Sequence, residues 1–291
     1  MDKKRQFGDR KDGRKLRTLQ PLSKVSPYIM KTRAGSQNFI RDFVEISETE
    51  NFIREMRAKG YKGFGIVHIF MAAYVRTVSQ LPGINRFVAG QKIYARNNIE
   101  IMMTVKKEML IDAPETVMKL EFDPRDTVID VYEKFSGEVD KIRKEGDESN
   151  FDKTANFLHY IPGLVLKFSV FTLNFLDYFG WLPSFLLKVS PFHGSFFMTS
   201  MGSLGIPPIY HHLYDFGNVP VFCSYGSKRN EYVLNGDGEV EKKRYIDYTF
   251  VTDERICDGH YFAAALKMIR ELVLSPRTLS YPPENVREDI V

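Results

Sequence analysis

Arg244–Arg270 reads RYIDYTFVTDERICDGHYFAAALKMIR. Its opening part, Arg244–Thr252, is rich in aromatic and β-branched side chains and predicts a strand. The tight Asp258-Gly259 element ends that pattern. His260–Leu274 then places Phe262, Ala265, Leu266, Ile269 and Leu272–Val273 at helical spacing, which predicts a final helix with one buried face. Strand, tight turn and helix in direct succession set the frame for the rest of the chain.

Upstream, Asn38–Ile46 alternates loosely and predicts a strand. Ser47-Glu48-Thr49-Glu50 has the form of a capping box and predicts a helix through Lys59, with Gly60 as its stop. Gly65–Leu81 predicts a second helix, since Ile66, Phe70, Tyr74 and Val78 recur about once per turn before Pro82-Gly83. Arg86–Lys107 predicts paired strands separated by a Gly-Gln-Lys turn and an Asn97-Asn98 turn. Val117–Phe122 adds a strand, Asp126–Gly146 an amphipathic helix, and Ser195–Met201 and Val219–Ser224 two further strands. Without internal repeats or strict βαβ alternation, the class expected is α+β, with a largely antiparallel or mixed sheet packed against helices.

The 291 residues, 43% hydrophobic and 27% charged, describe an ordinary globular chain. Its net charge of +4 is too mild to argue for a nucleic-acid binder, and it is unevenly spread. Residues 1–24 carry nine basic and three acidic side chains, which leaves the body close to neutral. Residues 1–21 are therefore expected to be a flexible basic arm, and residues 22–291 a single domain. The arm is a solvated tail in the plainest reading; with Leu16, Leu19 and Leu22 interleaved, attachment to an anionic membrane surface is the alternative. No aromatic stacking pattern or reader motif supports DNA or RNA contact.

Two cysteines, Cys223 and Cys257, exclude a disulfide scaffold and a four-cysteine zinc site, and both read as inert core thiols. The adjacent His211 and His212 point apart and have no acidic or cysteine partner at ligand spacing, so no metal is expected. Gly202-Ser203-Leu204-Gly205 is not followed by Lys-Ser/Thr and is no phosphate loop. The chain begins without the apolar core of a secretory signal. Its longest charge-free apolar runs, Phe168–Leu176 and Tyr178–Leu187, are shorter than the roughly 18–20 residues of a spanning helix. The expected setting is cytoplasmic, with a membrane-peripheral position as the variant.

Asn156–Phe197 stands apart in composition, with Lys167, Asp177 and Lys188 as its only formal charges. Pro162, Gly180 and Pro183 divide it into short helices. An apolar helical insertion at about 156–190 has three readings: a hairpin buried in the core or at a subunit interface, the wall of an acyl pocket, or an interfacial membrane contact.

The segment quoted first resembles the C-terminal part of the chloramphenicol acetyltransferase and dihydrolipoamide acyltransferase superfamily, whose signature is His-x-x-x-Asp-Gly. Thr199-Ser200-Met201-Gly202-Ser203-Leu204-Gly205 is similar to the Thr-Ile-Ser-Asn-Leu-Gly turn of the dihydrolipoamide acyltransferase core. Leu81-Pro82-Gly83-Ile84-Asn85, with the hairpin and Asn98-Ile99-Glu100-Ile101 after it, is similar to that family's helix end and next two strands. The resemblance covers roughly Leu22–Leu274, and the apolar Asn156–Ser190 region is its least familiar part.

It implies an α/β two-layer sandwich assembled as a trimer, or a multiple of trimers, with sites between neighbouring subunits. The reaction implied moves an acyl group between coenzyme A and a thiol, hydroxyl or amine, with coenzyme A thioester as substrate and no permanently bound cofactor. Lipoyl and peripheral-subunit-binding modules have no room before Leu22, which points away from a standard dehydrogenase-complex core.

At the position of the signature histidine stands Glu254. An ordinary glutamate, at about 4.3, is a poor base for a thiol at about 8.5, whereas burial raises a carboxylate and pairing with a cation such as Arg255 lowers it. His260 is the alternative base. The resemblance gives Thr199 the oxyanion role and Asp258-Gly259 a structural one, with Asp258 in an ion pair. Two functions follow as expectations: acyl transfer with Glu254 or His260 as base and Thr199 at the oxyanion, or a noncatalytic trimeric ligand-binding, scaffold or regulatory protein of the same fold.

Overall fold

The computed structural model describes residues 5–106, 115–144 and 161–291. Along the chain run β1 (Gly13–Lys15), α1 (Pro21–Ile29), β2 (Gln37–Glu45), α2 (Ser47–Ala58), α3 (Ile66–Gln80), β3 (Arg86–Ala89), β4 (Lys92–Arg96), β5 (Ile99–Lys106), β6 (Glu115–Phe122) and α4 (Val128–Lys144). The second half adds α5 (Gly163–Phe179), α6 (Ser184–Val189), β7 (Phe196–Ser200), β8 (Val221–Leu234), β9 (Val240–Asp253) and α7 (Gly259–Leu274). Six strands form a mixed sheet in the order β2-β9-β8-β7-β5-β6, in which β7 runs parallel to both neighbours. A second sheet, β1-β4-β3, is antiparallel.

Burial explains the central elements. In α3 the run IFMAAYV is apolar on every side and fully buried, because the helix lies over the middle of the sheet and between α4 and α7. Tyr74 stacks on Phe196 of β7 at 4.1 Å, and Phe70 on Tyr225 of β8 at 5.4 Å, so the face of α3 is registered to the sheet by rings. On the sheet's other face Met102, Phe197, Leu213, Val219, Phe222 and Val251 form a smaller cluster. That double cover is why β7 and the start of β8 read as continuous apolar runs rather than as alternation.

Several expectations are corrected. The capping box does not form: Ile46 is the N-cap of α2, Thr49 Oγ1 donates to Val273 O at 2.5 Å, and Glu50 meets Lys228 and Arg244. The Asn97-Asn98 turn joins two sheets instead of closing a hairpin within one. β8 and β9 continue well past the predicted strands into a long hairpin, whose polar, exposed outer half hid its pairing from an apolar pattern. The helix predicted to Gly146 is seen to Lys144; residues 145–160, including the start of the apolar stretch, lie outside the described ones.

The N-terminal segment is no free tail from residue 5 on. Gly13–Lys15 pair with Tyr94–Arg96, Leu16 is buried, and Arg10 is sunk in an ionic cluster. The apolar stretch forms helices bounded by Pro162, Gly180 and Pro183, but they are not core helices: Leu164, Phe168, Phe171, Trp181 and Phe185 are all at least 60% exposed. Among the described residues no helix is long and apolar enough to cross a membrane.

Candidate functional site

Glu254 follows the last residue of β9 in a turn that leaves it exposed, while its neighbours Asp253 and Arg255 are buried. Asp253, with no exposed surface, accepts both Arg255 Nε (2.8 Å) and Arg255 Nη2 (2.7 Å), and Arg33 Nε lies 3.5 Å from its other side. Arg255 also donates to Met30 O, and Arg33 to Tyr214 O and Val88 O. The Glu254 main-chain N–H donates to Ser36 O at 2.8 Å. Two guanidiniums around one buried carboxylate thus tie three segments beneath Glu254. Glu254 does not pair with Arg255, because Arg255 is committed to Asp253. The Glu254 carboxylate is exposed and has no side-chain partner among the described residues.

Asp258 has no ion-pair partner among the described residues. It is the N-cap of α7, where its Oδ1 accepts the Tyr261 N–H at 2.8 Å, and the buried ionic role falls to Asp253 instead. Gly259 opens the helix, and His260 is exposed in the first turn. Tyr261 Oη accepts the Gly83 N–H at 2.8 Å, and a Cβ at residue 83 would come within 2.7 Å of that ring. The glycine of Leu81-Pro82-Gly83 is therefore required by the close approach of α7.

Thr199 lies near the end of β7, half-buried, opposite Ser224 of β8, and its hydroxyl has no partner among the described residues. The turn after it is fixed by Met201 N–H donating to Tyr225 O at 2.8 Å. Register separates the two candidates. Thr199 matches Ser224 and Ser224 matches Thr249, so Glu254 stands two strands across and five residues along, about 19 Å away at sheet spacings. One chain does not bring Glu254 and Thr199 together.

Sequence reasoning missed a buried polar cluster around Asp177. Asp177 of α5 pairs with Arg10 (2.5 Å) and lies 3.5 Å from His193 Nε2, while His193 Nδ1 meets Ser190 Oγ at 2.7 Å. Arg10 also holds Asp12, which accepts from Asn218, which in turn binds Arg96. Burial pushes the Asp177 carboxyl up, but His193 and Arg10 outweigh it and hold it down at about 2. The available signal was Asp177 itself, a single acid in an otherwise apolar helix. Cys223 and Cys257 are buried, and burial pushes both thiols up. A wide polar groove lined by Asn85, Asn97, Phe122 and Arg287 reaches neither Glu254 nor Thr199.

No protein-family profile matches the sequence, and no curated protein does. Solved structures match nearly the whole chain. A probable dihydrolipoamide acetyltransferase from Listeria monocytogenes is 16% identical, with 94% of this chain and 98% of that chain covered and a TM-score of 0.58. The cubic core of a pyruvate dehydrogenase multienzyme complex is 13% identical, covering 94% and 95%, with a TM-score of 0.57. A chloramphenicol acetyltransferase is 10% identical, covering 90% and 99%, with a TM-score of 0.55. The chain has the chloramphenicol acetyltransferase-like fold, a mixed sheet packed against helices, which it shares with these structures.

Proposed function

We propose that this protein is an oligomeric acyltransferase whose reaction centre is completed between two copies, with Glu254 from one and Thr199 from its neighbour. The observation that carries the reading is the pairing of two unengaged side chains with a separation that one chain does not close. The assembly proposed is a trimer or a multiple of trimers; one similar structure is described as a cubic core, which fits repeated assembly of this fold.

The donor is an acyl thioester of the coenzyme A kind, and the acceptor a thiol, hydroxyl or amine. As the acceptor attacks the thioester carbonyl, the Glu254 carboxylate takes its proton and the Thr199 hydroxyl donates to the developing oxyanion. Collapse of the intermediate expels the thiolate, which takes the proton back from Glu254, leaving acylated acceptor and free thiol. An ordinary glutamate lies about 4 pH units below a thiol, and desolvation at a subunit interface raises carboxyl groups by up to about 3–5 units. A neighbouring copy that covers Glu254 would thus supply the basicity that an exposed carboxylate lacks.

A noncatalytic reading would be favoured by a Glu254 locked in a local ion pair, and Arg255 is already committed elsewhere. The direct test is transfer from a panel of short- and long-chain acyl-coenzyme A donors, followed by mass detection of the product. Glu254→Gln should lower turnover about 10²–10⁴-fold while leaving the fold intact. Absence of both transfer and thioester hydrolysis across the panel overturns the proposal.

A further inference from the structure

The α5–α6 hairpin turns its most apolar face to water. Leu164, Phe168, Phe171, Phe175 and Tyr178 recur at spacings of four and three residues, so they share one face of α5, and each is exposed. Trp181 and Phe185 extend the patch past the Gly180 turn, where φ is 72°. The inward side carries Asp177, the only acid in residues 161–200, and Arg10 already neutralises it. This inverts the usual arrangement of a surface helix, in which charge faces solvent.

Three further features of this face bear on its partner. Ser169 Oγ donates to Val165 O at 2.8 Å and Thr172 Oγ1 to Phe168 O at 2.9 Å, so both hydroxyls are satisfied inside the helix and need no water. The exposed charges on the hairpin, Lys167 and Lys188, are both positive. The basic N-terminal segment is fastened to the same hairpin: Arg10 donates to Asp177 O, and Lys11 Nζ donates to Leu182 O at 2.9 Å. Residues 5–17 hold six basic and two acidic side chains, and both acids are paired internally with Arg17 and Arg10.

We propose that the α5–α6 hairpin and the basic segment beside it form a docking surface for an anionic lipid bilayer, with α5 lying in the plane of the headgroups. At 17 residues α5 is about 25 Å long, which suits lying flat rather than spanning. Aromatic rings with amphipathic tips, Tyr178 and Trp181, stand at the turn, the position such rings take at the headgroup boundary. Lysines at the margins reach lipid phosphates while their stems stay on the apolar face.

Trp181 is the only tryptophan of the chain and reports on the hairpin directly. Full-length protein is mixed with vesicles of phosphatidylcholine and phosphatidylserine at 7:3, or of phosphatidylcholine alone, at low and high salt. The expected result is a blue shift of Trp181 emission and flotation with the anionic vesicles at low salt, reduced at least about tenfold at high salt. Phe168→Glu with Phe171→Glu should abolish flotation, and Lys167→Glu with Lys188→Glu should weaken it at least tenfold, both without changing the circular dichroism. Emission already blue without lipid and dependent on protein concentration would mean that a second copy covers the face, and would overturn the proposal. Failure to float on anionic vesicles at low salt overturns it equally.

Discussion

The end of β9 and the α5–α6 hairpin both present side chains to solvent, but they are held in opposite ways. Glu254 is exposed and yet fixed, because its sequence neighbours Asp253 and Arg255 close a buried ionic triad with Arg33, and its own N–H is bonded to Ser36. The hairpin is exposed along its whole apolar stripe and is tied mainly by Asp177 to Arg10, by Lys11 and Lys119 to backbone carbonyls, and by Tyr178 to Gln91. The first arrangement holds the main chain at Glu254 in place and leaves its carboxylate unengaged. The second leaves a broad surface in need of a partner. Fixing a point and displaying an area call for different amounts of underlying order.

The largest effect expected on the firm side comes from Asp253→Asn. It leaves the Arg33 and Arg255 guanidiniums, each only 5% exposed, without their counter-charge. A loss of about 3–5 kcal/mol is expected in urea unfolding, and the comparison fails if the loss is no larger than that of an ordinary surface substitution.

Acid tests the body next. His68 is buried against Phe64, Tyr132 and Phe135, and burial lowers its imidazole from about 6.5 to about 4, with Arg57 adding to the shift and a Gly65 hydrogen bond opposing it. The unfolded chain therefore binds the proton first. Stability is highest above pH 6.5 and falls as pH drops towards 4, by roughly 3 kcal/mol in all. Urea midpoints measured between pH 7 and 4 should fall in that window, and much less steeply in His68→Gln.

The smallest effect belongs to the hairpin. Asp177 is held at about 2, so its contribution is complete above the ordinary carboxylate range and is lost only as pH falls from about 3.8 towards 2. Asp177→Asn is expected to weaken the hairpin locally by about 1.5–3 kcal/mol. Faster hydrogen exchange confined to residues 163–189, with the sheet unchanged, is the expected pattern; a uniform change throughout the chain would mean that the hairpin belongs to the core.

The sequence made the sheet and its packing helices legible where burial imposes a period. The stripe of α3, the buried face of α7 and the strands β5–β7 all follow from apolar spacing, and the DERICDG segment carried the resemblance that the structural neighbours support. It failed where polar chemistry decides. Asp253 is not legible from sequence, because nothing local distinguishes a buried strand-end aspartate from a solvated one, and its partner Arg33 is more than two hundred residues away. The resemblance points Asp258 to an ion pair, whereas the N-terminus of α7 takes it as its cap. The hairpin's exposure was hidden because an apolar run reads the same whether it faces a core or a surface, and only the inward turn of Asp177 toward Arg10 reveals the orientation.

The measurement that bears most directly on the reaction centre is complementation between two defective chains. Glu254→Gln and Thr199→Val, each expected to be inactive alone, are co-expressed with distinct tags, and the mixed oligomer is isolated and assayed for acyl transfer. A site shared between copies predicts that one of the three interfaces in each mixed trimer regains both native groups, with activity recovering in proportion. A mixed oligomer as inactive as either parent, made from chains whose unsubstituted form is active, would contradict a centre built from Glu254 of one copy and Thr199 of the next.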